Sequence, residues 1–309
     1  MVVKTGWART ALSHRICTGI PRQRLGKLIT ELAGPWQAGR ESRLRERRGQ
    51  DRLRAAGAGP HHDLVFTDRV IATLVVLRFQ LPHAALALFY GVDRATITRA
   101  IHEVRPLLAR RGFAVPGKPE LRLRTLGDVF AYAAAEGVHL RIDGTEVRVR
   151  RPRANKPGRR AFVSGKLKQN TKKATVITDE KGRTLWAGAF RPGRMHDQTA
   201  LKTEGICDLL ERHPQVKAKV DAGYRGLAKQ FPGQVDAPPL KPKKDASPEE
   251  VAAWDAARHQ QSSELICVEH ANAEHKQWRS LQRWIGGREY FDETYAAVAG
   301  LVSDRAAVR

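Results

Sequence analysis

Residues 215–226 read QVKAKVDAGYRG. Val216, Ala218 and Val220 alternate with Lys217 and Lys219, the period of a half-buried strand. Asp221 then stands at the strand's carboxyl end, where the chain turns at Gly223. A lone carboxylate here is conspicuous, because the chain carries 55 Lys+Arg against 32 Asp+Glu, a formal net charge of +23. As a helix cap it satisfies backbone N–H groups; as a ligand it offers hard oxygen to a cation. The spacing alone leaves both open.

Outward from this strand, the charge predicts a polyanionic partner. The length, 309 residues, suits roughly two domains. Cys17, Cys207 and Cys267 are scattered and odd in number, which supports neither a disulfide framework nor a zinc knuckle and fits a reducing cytosol. The apolar run VIATLVVL (70–77) stops at Arg78, too short to span a bilayer. No secretory h-region precedes it. The expectation is a soluble intracellular protein that faces nucleic acid, not a membrane.

Before the strand the pattern is helical. Residues 21–34 suit one short amphipathic helix, and 39–60 an arginine-rich solvated helix that runs into a Gly/Ala-rich linker. DLVFTDRVIATLVVLRFQL (63–81) reads as a helix with Thr67 as its N-cap. Pro82 opens a short helix that Gly91 breaks, and Asp93 caps the next, with Ile97, Ile101 and Val104 as its buried stripe. The other face shows Arg94, Thr96, Thr98 and Arg99, groups suited to base edges and phosphates. This is a helix-turn-helix pattern with 93–104 as the recognition helix.

After Pro116 and Pro119 the composition changes. Residues 123–137 read as a helix, 138–152 as a strand, and 161–194 as two antiparallel strands turned at Glu180–Gly182. TALKTEGICDLLERHP (199–214) reads as one helix, 238–244 as an edge strand fenced by prolines, and 247–284 as a helix broken near Ser262–Ser263. The layout is a mixed α/β core behind an all-α region. The boundaries expected are 1–62 for a basic arm, 63–115 for a helix-turn-helix domain and 116–309 for a catalytic domain. In LRIDGTE (140–146), strand alternation puts Asp143 and Thr145 on one face and Glu146 on the other, which argues against Asp143 and Glu146 sharing a metal. Glu269 lies at the edge of an apolar stripe of Val268, Ala271, Trp278, Leu281 and Ile285, with Lys276 seven residues on and on the same face. Phosphoryl transfer with two divalent cations is the chemistry that uses such acids on a basic chain.

IDGTEVRVRRP (142–152), FVSGKLKQNTKK (162–173), VITDEKGRTLWAGAFRPGRMHD (176–197), DAGYRG (221–226) and VEHANAEHKQWRSL (268–281) resemble, in that order, the DDE-superfamily transposases of bacterial insertion sequences. The stretch 63–112 and YAAVAGLVSD (295–304) join the likeness, which covers roughly 60–305. The resemblance implies a ribonuclease-H-like mixed sheet with flanking helices behind the helix-turn-helix. It implies Asp143, Asp221 and Glu269 as catalytic ligands of two Mg²⁺ (or Mn²⁺) ions, and Asp197 as a supporting group. It matches Lys276 to a basic position that contacts DNA near the cut; Lys166, Lys168 and the Arg150–Arg160 run read as phosphate contacts or, equally, as a solvated face. The partner implied is double-stranded DNA, transposon ends and target, met by a homo-oligomer in the nucleoid-associated cytoplasm. The activity implied is hydrolysis at terminal inverted repeats followed by strand transfer. A DNA-binding descendant without catalysis and an endonuclease without strand transfer are the alternatives. Where relatives carry an arginine one turn before the glutamate, this chain has Leu265, which predicts slow cleavage.

Overall fold

The computed structural model describes residues 5–52, 63–151 and 158–308 and divides the chain into two compact units. The linker expected near 60 and much of the Arg150–Arg160 run lie outside the described residues. Among those described, no helix is long and apolar enough to cross a membrane.

The first unit, residues 1–111 with 278–280, is helical: α1 Thr5–Leu12, α2 Arg15–Thr18, α3 Arg22–Arg48, α4 Phe66–Phe79, α5 His83–Tyr90 and α6 Arg94–Arg110. α3 is one helix of 27 residues, not a short helix followed by a second arginine-rich one. Pro35 lies inside it and removes one backbone donor. Leu25, Leu28 and Leu32 are buried before that point, and Trp36 stacks on Phe66 at 4.8 Å just after it. Packing on both sides thus offsets the missing hydrogen bond. α4 begins one residue before Thr67, so Val65, not Thr67, occupies the N-cap. Inside it, Asp68 is fully buried and accepts Nε and Nη2 of Arg9 at 2.7 and 2.8 Å. Gly91 ends α5 at φ 63°, a left-handed position that favours glycine. α6 starts after Asp93 and runs to Arg110, beyond the 104 expected, with Ile97, Ile101 and Val104 buried.

The second unit, 112–277 with 281–309, is α/β. β1 Phe113–Val115 and β2 Lys118–Leu123 form a small hairpin. α7 Leu126–Glu136 follows, opened by a capping box between Thr125 and Asp128. The main sheet comprises β3 Leu140–Val149, β4 Thr171–Thr178, β5 Thr184–Ala187, β6 Arg191–Pro192, then β7 Ala218–Val220, β8 Val235–Asp236 and β9 Arg283–Trp284. Its order is β5-β4-β3-β7-β8, antiparallel from β5 to β3 and parallel from β3 to β8. This is the ribonuclease-H-like sheet that the resemblance implies.

The helices are α8 Asp197–Thr203, α9 Ile206–Arg212, α10 Arg225–Gln230, α11 Pro248–Lys276 and α12 Phe291–Ala306. α8 and α9 replace the single helix expected at 199–214, because Gly205 takes φ 78° between them. Residues 161–170 hold a short 3-10 turn and a tight loop in place of strand. Residues 238–244 are not a strand; the carbonyls of Pro238 and Pro239 accept the Arg225 guanidinium instead. α11 runs unbroken through Ser262–Ser263 and stops at Lys276, so Trp278, Leu281 and Ile285 are not on it. Its buried face is Gln261, Val268, Ala271, Asn272 and His275.

Candidate active site

β3 is paired with β4 along one edge from Arg141 to Arg148. Along the other edge it has two partners in succession, β7 at Leu140–Ile142 and β9 at Arg148–Val149. Between them, on that edge, residues 143–147 have no strand beside them among the described residues. A cleft of about 410 Å³ opens at this gap. Side chains from both faces of β3 reach it, so Asp143 and Glu146 border one cleft despite pointing to opposite faces. They share the cleft but not a partner: Glu146 accepts the Thr171 hydroxyl at 3.0 Å and stands 3.5 Å from Lys173 Nζ, whereas Asp143 accepts Asn272.

Asp143, Asp221 and Glu269, 126 residues apart from first to last, line the same cleft. β3 supplies the first, the end of β7 the second and the exposed side of α11 the third. Asp143 accepts the Gly144 N–H on Oδ1 at 2.6 Å and Asn272 Nδ2 on Oδ2 at 3.1 Å. Burial pushes its carboxyl up to about 6, against the pull of the Gly144 N–H. The charges of Asp221, Glu269 and Asp197 push the same way as burial. Asp221 also caps the turn Ala222–Tyr224, accepting Ala222 N–H at 2.6 Å, so the capping role and a place in the cleft coexist. Glu264 and Glu274, the neighbours of Glu269 on α11, are engaged elsewhere, with Lys219 and with Arg305. Leu265 is half-buried one turn before Glu269.

Lys166 and Lys276 line the cleft, whereas Lys168 is exposed at φ 53° in the adjoining loop. That loop is closed by Ser164, whose Oγ accepts the N–H groups of Lys166 and Leu167 at 3.2 and 3.1 Å. Asp197 also lines the cleft, with Lys173 Nζ 2.7 Å from its Oδ1 and 3.5 Å from Glu146 Oε1. Lys173, Asn272 and Tyr224 are cleft residues to which the sequence alone gives no role, while strand alternation sets Glu146 aside. Tyr224 is buried with its hydroxyl against Gly144, and burial raises its phenol pKa. Only the stretch DAGYRG drew notice to Tyr224; Asn272, three residues after Glu269 on α11, gave no signal of its own.

In the helical unit, Arg94 and Arg99 are exposed on α6, and Arg99 Nη2 donates to Thr96 Oγ1 at 3.1 Å. The Thr98 hydroxyl donates to the Arg94 carbonyl and meets His83 Nδ1 at 2.9 Å, so it is turned along its own unit.

Among the described residues, no three His, Cys, Asp or Glu side chains form a ready-made metal cage. The donor set nevertheless suits Mg²⁺ or Mn²⁺, hard ions held by one or two carboxylates, water and substrate phosphate. Five carboxylates line the gap, Asp143, Glu146, Asp197, Asp221 and Glu269, and a cation would relieve both the burial and the like-charge repulsion that raise Asp143.

Residues 142–303, just over half the chain, match the family described as DDE superfamily endonuclease. Residues 62–114 match the helix-turn-helix of DDE superfamily endonuclease. The chain is also similar to the crystal structure of the Mos1 strand transfer complex, at 13% identity over 84% of each chain, with a TM-score of 0.19. No curated protein matches.

Proposed function

The chain belongs to the DDE superfamily endonuclease family, and from that premise we propose that it is a transposase. In this reading residues 63–115 recognise the terminal inverted repeats of an element. Residues 116–309 cut phosphodiesters at those ends and join the freed 3′-OH to target DNA, with the chain acting as a homo-oligomer. The observation that carries the reading is the convergence of Asp143, Asp221 and Glu269 on one cleft that also presents Lys166 and Lys276.

Asp143, Asp221 and Glu269 would hold the divalent cations, Mg²⁺ or Mn²⁺. What two such ions supply when bound is activation of the attacking oxygen and stabilisation of the leaving one. The chain's own part is positional. Asn272 fixes one oxygen of Asp143, leaving the carboxylate's orientation set before DNA arrives. Lys173 neutralises Asp197 and Glu146, so those acids repel the phosphate less. Lys166 and Lys276 flank the acids and counter the charge of the strand.

The test is a nicking assay on supercoiled plasmid carrying the DNA that flanks the gene, with Mg²⁺ or Mn²⁺, followed by joining of precut ends. Asp143→Asn, Asp221→Asn and Glu269→Gln are each expected to cut slower by several powers of ten, each power being about 1.4 kcal/mol of barrier. DNA binding should survive in all three. Nicking that proceeds equally well in all three variants sinks the assignment; nicking without joining leaves an endonuclease.

A further inference from the structure

The arginines in the last turns of α3 divide between two sides of the helix. Arg45 pairs with Asp51 at 3.0 Å, and Arg48 lies against Glu41 together with Arg52, which follows the helix. Arg40, Arg43 and Arg47, spaced by three and four residues, share a different stripe. That stripe lines a groove of about 630 Å³ whose far wall carries Thr96 and Arg99 of α6. With Arg69, the groove holds five arginines against two acids, Asp63 and Glu103. Glu103 is committed: it accepts Arg69 Nη1 and the Trp36 indole N–H, each at 3.0 Å, and stands 3.8 Å from Arg43.

We propose that this groove seats the sugar-phosphate backbone of duplex DNA, so that α3 clamps the strand bordering the major groove that α6 reads. The proposal rests on α6 being the DNA-reading helix, and it adds to that reading a helix, residues 22–48, outside the matched span of 62–114. Seven residues of helix rise about 10 Å, about three phosphate-to-phosphate steps along one strand. The three arginines on the stripe therefore fall within a run of about four successive phosphates. A single strand fits less well. Single-strand sites offer open aromatic faces for bases, and the Trp36 ring here is stacked on Phe66 with Arg40 and Arg69 each 5.8 Å from its centre.

The experiment measures binding of the full chain to a random-sequence duplex, and to a single strand of equal length, across a salt series. Replacing Arg40, Arg43 and Arg47 together by Ala should lower affinity and reduce the log–log salt slope by about 2 to 3. Replacing all three by Lys should retain the slope, which separates lost charge from a damaged helix. Arg45→Ala with Arg48→Ala, on the other side of α3, should change the slope little. An equal loss from that control pair overturns the groove, as does tighter binding of the single strand by the parent. If the triple Ala variant binds like the parent while Arg94→Ala loses affinity, the groove falls and α6 stands as the reading helix. If neither variant changes binding, both readings fall.

Discussion

Asn272 shows how one side chain couples the sheet to α11. It is buried on the helix and its amide donates to Asp143, so the carboxylate nearest the middle of β3 is held from across the cleft. Partners of this kind typically contribute 10–100-fold to a metal site. Asn272→Ala is expected to slow nicking by about that factor with DNA affinity unchanged; a variant that cuts at the parental rate removes Asn272 from the mechanism. Leu265 sits one helical turn from Glu269, where a guanidinium would reach the carboxylate or a phosphate. Leu265→Arg is therefore expected to speed nicking about tenfold, near 1.4 kcal/mol of barrier. A folded variant no faster than the parent shows that the leucine does not limit the rate. The places of Asp143 on a strand and Asp221 at a strand end were legible as local signals, but their grouping with Glu269 came only from the family resemblance. Asn272 and Lys173 were not legible, because their meaning lies in partners 129 and 24 residues away.

At the scale of elements, the close approach of β3 to the turn after β7 depends on Gly144. A Cβ there would stand 2.9 Å from the Tyr224 hydroxyl. Gly144→Ala should destabilise the unit by about 1–3 kcal/mol, the usual cost of overpacking. Tyr224→Phe in the same chain removes the obstructing oxygen and should restore most of it. Thermal unfolding of the four forms closes this cycle, and strict additivity would show that the two residues do not meet. Periodicity found α6, α7 and the β4–β5 hairpin because each carries a local pattern, a buried stripe in α6, a capping box in α7 and a turn in the hairpin. Asp93 holds the N-cap position of α6 without the side-chain bond expected of it. It misjudged α3 and α11 for the opposite reason. Pro35 and Ser262–Ser263 look like breaks, yet tertiary packing and an otherwise helical backbone carry the helices through. It missed the bare edge at 143–147 because that edge is defined by two strands remote in sequence.

For the molecule as a whole, the buried carboxyl of Glu204 links stability to pH. Burial raises it from 4.5 to about 7, with the Thr175 hydroxyl and Arg191 guanidinium pulling the other way. Unfolded, the group ionises near 4.5; folded, it keeps its proton to about 7. Stability should therefore fall as pH rises between those values and level off above, by at most about 3 kcal/mol. Glu204→Gln should remove that slope, giving a variant more stable than the parent above pH 7 and converging with it in acid. A parent–variant difference independent of pH would show that the group does not titrate in the fold. The pairing of β9 with the far end of β3 has a consequence of another kind, for synthesis. Arg148 meets Arg283, so 135 residues must be made after the first wall of the cleft before the second exists. At about 5–20 residues per second that is roughly 7 to 27 seconds of translation. Until then the edge at 148–149 lacks its partner, and a chain stalled before residue 283 emerges should be cut there by protease faster than the full chain.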